Sequence, residues 1–99
     1  MNGMVKIEFS NHAKFKLKER NIDESEVMSV LKTPLTTFLD IETGNMIAIG
    51  NRTVKSDHKL IVAYVVRGDI VKVITVIDIS KREDIIKKRE EKGRWVRIK

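Results

Sequence analysis

His12, Lys16 and Arg20 recur at four-residue spacing in the stretch FSNHAKFKLKER, residues 9–20. On a helix they fall at roughly 0°, 40° and 80° and form one stripe. Ala13 and Leu17 border that stripe on one side and Phe15 on the other. This bracketing predicts that the stripe lies against the body of the protein or lines a groove, while Lys14 and Lys18 face water. An imidazole titrates near neutrality, so His12 is a candidate acid or base, with two cations one and two turns away. The plainer reading is a structural histidine beside Lys and Arg stems that lie over apolar surface with their heads in water.

The 99-residue chain carries a formal charge of +6. That favours a polyanionic partner: RNA, DNA or an acidic protein. With no cysteine there is neither a disulfide framework nor thiolate chemistry, and a cytoplasmic location is expected. No apolar run is long enough to cross a bilayer, and the start MNGMVKIEF has no signal-peptide core. His12 and His58 are isolated from one another and no carboxylates cluster at ligand spacing, so no metal site is expected. The five glycines are scattered, which argues against a phosphate-cradling loop, and there is no Gly-x-Ser-x-Gly elbow. No cofactor is expected.

The stripe needs elements to position it. Val5–Phe9 alternates apolar and charged residues as a half-buried strand does. Ser10 can cap a helix to about Arg20, with Asn21 as its stop. Asp23 and Glu26 read as a capping box, with Ile22 and Val27 as a staple, for a second helix that Pro34 ends. Thr36–Ile41 and Asn45–Ile49 flank a turn at Thr43-Gly44, and Lys59–Val66 and Ile70–Ile79 flank Arg67-Gly68-Asp69, giving two hairpins. The last two strands are apolar on both faces, hence central. Ser80 and Glu83 read as the capping box of a helix to about Lys92, closed by Gly93. Residues 93–99 are a short strand or a loose basic tail. The prediction is one α+β domain over residues 1–99: two N-terminal helices, an antiparallel sheet of about four to five strands and a C-terminal helix, the helices mainly against one face.

The pattern Phe9-Ser10-x-His12-Ala13, Lys16-Leu17, Arg20, Ile22, with Val27 and Leu31 following, resembles the start of a prokaryotic domain of unknown function, number 4258. Ile74-Thr75-Val76 resembles its second characteristic stretch. Lys16 stands where that family usually has Arg, which loses the bidentate fork, and Asn21 where it often has Gly. The family is similar in element order to the small ribonuclease toxins of the barnase/RelE-like superfamily. The resemblance therefore implies a RelE/barnase-like fold, metal-independent RNA cleavage and an acidic antitoxin-like partner. Such cleavage needs a base for the ribose 2′-OH, an acid for the leaving 5′ oxygen and cations at the phosphate. His12, Arg20 and Thr75 are then the catalytic candidates, Thr75 as a lone hydroxyl expected on the same side as Val71, Val73, Ile77 and Ile79. Lys16 and Arg82 are candidate phosphate contacts, though the plainer reading of Arg82 is an exposed salt-bridging residue. His58 is a candidate acid partner of His12 or a solvated loop residue. Trp95 is either a stacking platform for a base or an anchor for the tail. Lys87-Lys88-Arg89 is offset by Glu90 and Glu91 and reads as a solvated helix face. The alternatives to a nuclease are a non-catalytic RNA-binding or protein-interaction module, and a scaffold whose stripe only braces the sheet.

Overall fold

A computed structural model describes residues 5–55, 57–80 and 84–99. The order is β1 (Lys6–Phe9), α1 (Asn11–Glu19), α2 (Glu24–Lys32), β2 (Thr36–Asp40), β3 (Met46–Asn51), β4 (His58–Arg67), β5 (Ile70–Ser80), α3 (Ile85–Glu91) and β6 (Trp95–Arg97). The fold class is α+β, with one six-stranded sheet in the order β1-β5-β4-β3-β2-β6.

This architecture corrects the predicted one in three respects. The sheet is mixed, because β1 lies parallel to β5, with Lys6 opposite Ile70 and Phe9 opposite Val73. It has six strands, with β1 and β6 as its edges, so the layout of two helices followed by a four- to five-stranded antiparallel sheet does not hold. The helices also lie on both faces. α1 and α2 bury Ala13, Leu17, Ile22, Val27 and Val30 against Leu60, Val62, Val73 and Val76. On the other face Phe38, Ile47, Ile61, Ala63 and Ile79 pack with Trp95, and Ile85 and Ile86 of α3 close over them. The two-sided apolar patterns of β4 and β5 called for both layers. Alternation in β1 announces a strand, but not a partner more than sixty residues away or the direction of pairing.

Local chemistry sets the boundaries. Ser10 caps α1, its hydroxyl accepting from the Ala13 N–H at 3.0 Å. Asn21 ends the helix with a left-handed backbone (φ 54°), which asparagine tolerates better than most residues. Gly50 lets α2 sit low on the sheet, since a Cβ there would meet Val30 Cγ2 at 2.9 Å. β5 continues through Ser80, so that residue is not the cap predicted for the last helix. Its supposed partner Glu83 lies outside the described residues, as does Arg82. Gly93, with φ 75°, closes α3, and residues 95–97 form the strand alternative and not a loose tail.

A β-bulge reorganises β5. Ala63 pairs with Thr75 but Tyr64 pairs with Val73, leaving Ile74 as an extra residue. Val73 therefore faces α1 and α2, whereas Ile74 and Ile77 pack on the α3 side. Thr75, opposite Ala63, shares that side. The predicted row of Val71, Val73, Thr75, Ile77 and Ile79 on one face is thus broken after Val73. Bulging also releases a carbonyl from the ladder. Ser10 uses it: its hydroxyl donates to the Ile74 carbonyl at 2.8 Å, tying the start of α1 to the irregularity.

Candidate active site

The predicted stripe does not form a sheltered groove. Ala13 and Leu17 are buried as expected, but Phe15 is 59% exposed. The wall assumed on the far side of His12 is missing, and the histidine is exposed. Lys16 Nζ lies 3.2 Å from Glu19 Oε1. Arg20, 57% exposed at its side chain, comes no closer than 3.9 Å to the same carboxylate. Thr75 lies on the opposite face of the sheet from α1. The structure therefore separates Thr75 from His12, Lys16 and Arg20. Trp95 is buried, its ring centroid 5.6 Å from that of Phe38 in a tilted contact, with Nε1 donating to Asp40 Oδ2 at 3.4 Å. It anchors the C-terminal segment and offers no face to a base.

A different set of polar residues converges at the other end of β4 and β5. His58 is the first residue of β4, not a solvated loop residue, and stands opposite Ser80. Leu60 and its partner Asp78 come next on the same face, so His58 and Asp78 share the side covered by α1 and α2. His58 Nδ1 and Asp78 Oδ1 are 2.8 Å apart. The other carboxylate oxygen, Oδ2, accepts from Arg52 Nη1 at 2.9 Å.

Arg52 follows β3 directly, and its backbone N–H donates to the His58 carbonyl at 3.0 Å, pinching the loop between β3 and β4. Its guanidinium is fully buried and makes four hydrogen bonds. Besides the one to Asp78, Nε and Nη2 donate to Glu26 Oε1 and Oε2 at 3.1 and 2.9 Å, and Nη2 donates to the Asn21 carbonyl at 3.2 Å. The left-handed turn at Asn21 is what aims that carbonyl inward. Glu26 Oε2 also accepts from the Asp23 N–H at 3.2 Å, so the glutamate that opens α2 also holds the core guanidinium. The Arg52 hydrogen bonds hold the Glu26 carboxyl below its ordinary pKa against the opposing effect of burial, and Glu26 in turn raises Arg52. A guanidinium so enclosed cannot reach a ligand. Its role is to fix Asp78.

Exposure falls along the chain His58–Asp78–Arg52: side chains are 27%, 8% and 0% accessible. In the tautomer whose Nδ1–H donates to Asp78 Oδ1, Nε2 is the free end of the imidazole. A half-exposed imidazole, oriented by a carboxylate that is itself held by a buried arginine, can take and return a proton. Sequence reasoning named His58 only as a partner for His12, read Glu26 only as a cap, and passed over Arg52 and Asp78. The available signal was Asp78 itself, a carboxylate in the apolar strand Val-Ile-Asp-Ile, which has to be paired when buried.

The sequence profile of a domain of unknown function, DUF4258, matches residues 9–98. The chain belongs to the DUF4258 family. No curated protein and no solved structure matches it, and the implied likeness to the barnase/RelE superfamily is supported by neither these comparisons nor the sheet. Within the family's span, two residues of the Ser-x-His-Ala motif serve the fold: Ser10 joins the α1 cap to the bulge, and Ala13, fully buried, brings α1 against the core. Among the described residues no three His, Cys, Asp or Glu side chains gather as metal ligands, and no helix is long and apolar enough to cross a membrane.

Proposed function

We propose that this protein is a toxin-like, metal-independent endoribonuclease in which His58, not His12, transfers the proton. The observation that supports this most is the 2.8 Å contact between His58 Nδ1 and an Asp78 carboxylate anchored by Arg52. It leaves Nε2 as an oriented base at the protein surface. The reaction would be transesterification. Nε2 removes the ribose 2′-OH proton, the 2′ oxygen bonds to phosphorus as the bond to the 5′ oxygen breaks, and the imidazolium returns the proton to that oxygen. The products are a 2′,3′-cyclic phosphate and a free 5′-OH. Lys55, whose carbonyl accepts the His58 N–H, brings a cation to the same turn, and the +6 chain favours a polyanionic substrate. A cytoplasmic location and an acidic antitoxin-like partner belong to this reading.

The test is incubation of purified protein with total RNA in chelator, followed by end-group analysis. Wild type and His12→Ala should yield cyclic-phosphate ends, and His58→Ala should yield none. No cleavage by wild type, or equal cleavage by His58→Ala, refutes the assignment. The second reading, a non-catalytic RNA-binding module, is favoured by the exposed guanidinium of Arg20 on α1. It predicts salt-sensitive affinity without cleavage.

A further inference from the structure

α3 and its C-cap carry Ile85, Lys88, Arg89 and Lys92 at the spacing of one helical stripe. On most packed helices that stripe is apolar throughout. Here the isoleucine packs on the sheet, and the three cations line a cleft of about 420 Å3 together with Arg94, Ile41, Glu42 and Gly93.

The carboxylates near this cleft do not neutralise it. Glu90, which in sequence offsets Lys88 and Arg89, bonds Arg97 at 3.2 and 3.3 Å. Asp40 and Glu42 engage Arg94 at 3.2 and 3.4 Å. Among the described residues no carboxylate lies within ion-pair distance of Lys88, Arg89 or Lys92. Arg89 is held in another way. Its guanidinium lies 5.5 Å over the Trp95 ring, and its Nε is buried with no hydrogen-bond partner. Stacking on tryptophan keeps the planar fork in place while its outer N–H groups remain for an anion.

We propose that this cleft binds the phosphodiester backbone of a nucleic-acid strand. Lys88 and Lys92 stand one turn apart, about 6 Å along the helix axis, a step that a flexible phosphate chain can follow. No aromatic side chain lines the cleft, so recognition is by backbone charge and is independent of sequence. The cleft lies on the α3 face, whereas His58 lies on the α1–α2 face. Binding in this cleft is therefore independent of any proton transfer by His58.

The test uses fluorescein-labelled oligothymidylate, which has no 2′-OH and cannot be cleaved, followed by anisotropy. For three to four neutralised phosphates, the plot of log affinity against log salt should have a slope of about −2 to −3. Lys88→Glu/Lys92→Glu should weaken binding at least about tenfold and flatten that slope. Both lysines are exposed, and an unchanged circular dichroism melt verifies the fold. Lys14→Glu/Lys18→Glu alters net charge equally on the solvated face of α1 and should change affinity less than about threefold. Equal losses from the two lysine pairs would reduce the effect to net charge and overturn the site. Displacement of the oligonucleotide by polyglutamate at equal charge concentration would also overturn it, in favour of an acidic protein.

Discussion

Arg52 and Arg94 both bond carboxylates from other elements, at opposite ends and on opposite faces of one sheet. Arg52 has no solvent exposure, divides four hydrogen bonds among Glu26, Asp78 and Asn21, and joins α2, the α1–α2 corner and β5. Arg94 is 31% exposed and reaches Asp40 through longer contacts of 3.2 and 3.3 Å. Asp40 also serves its own turn, where Oδ1 accepts from the N–H groups of Glu42 and Thr43 at 3.0 and 3.4 Å. The same residue types thus do different work. One arginine is an interior fastener whose rim carries a histidine, while the other steadies a hairpin and leaves a face towards a cleft.

The largest effect should come from Arg52→Met. It strands two buried carboxylates and should cost about 3–5 kcal/mol, read as a lowered midpoint in urea. A loss no greater than that of a surface substitution would show that Arg52 does not fasten these elements. Asp40→Ala should cost less, about 1–3 kcal/mol, because water can reach Arg94. If it matched Arg52→Met, the contrast between the two clusters would fail.

Mild acid should have the smallest effect, and its sign differs between the proteins. Hydrogen bonds from Arg52 lower the Glu26 pKa. At Asp40 burial acts upwards, but the bonds from Arg94 and the turn N–H groups outweigh it and the net direction is down. Carboxyls lowered on folding stabilise the protein above their unfolded pKa and cease to do so as pH falls through the folded one. Wild-type stability, followed by thermal melts, should be level down to about pH 5 and decline below about 4.5. In Arg52→Met, protonation relieves the stranded carboxylates, so acid should narrow the gap to wild type.

Much of the fold was legible because it depends on neighbours in sequence. The Ser10 cap, the Asp23–Glu26 start of α2, and the turns at Gly44 and Gly68 all followed from local chemistry, and both glycines adopt positive φ. What escaped depends on pairing at a distance. The parallel partner of β1 and the bulge at Ile74 leave no periodic trace, and the two-sided apolar strands called for a second layer without naming the helix that supplies it. That single extra residue moved Thr75 to the other face. The His12 stripe failed because Phe15 was assumed to be buried, yet it is exposed on α1. The Arg52 cluster escaped because its bonded side-chain pairs lie 20 to 26 residues apart, each residue with an ordinary local explanation.

The pairing of β1 with β5 bears on the order of events during synthesis. β1 and the helix tied to Val73 and Ile74 leave the ribosome well before β5, the strand on which they dock. Ile7, Phe9 and the inner side of α1 therefore stay wet until the β4–β5 hairpin exists, and this molecule should be assembled late and nearly all at once.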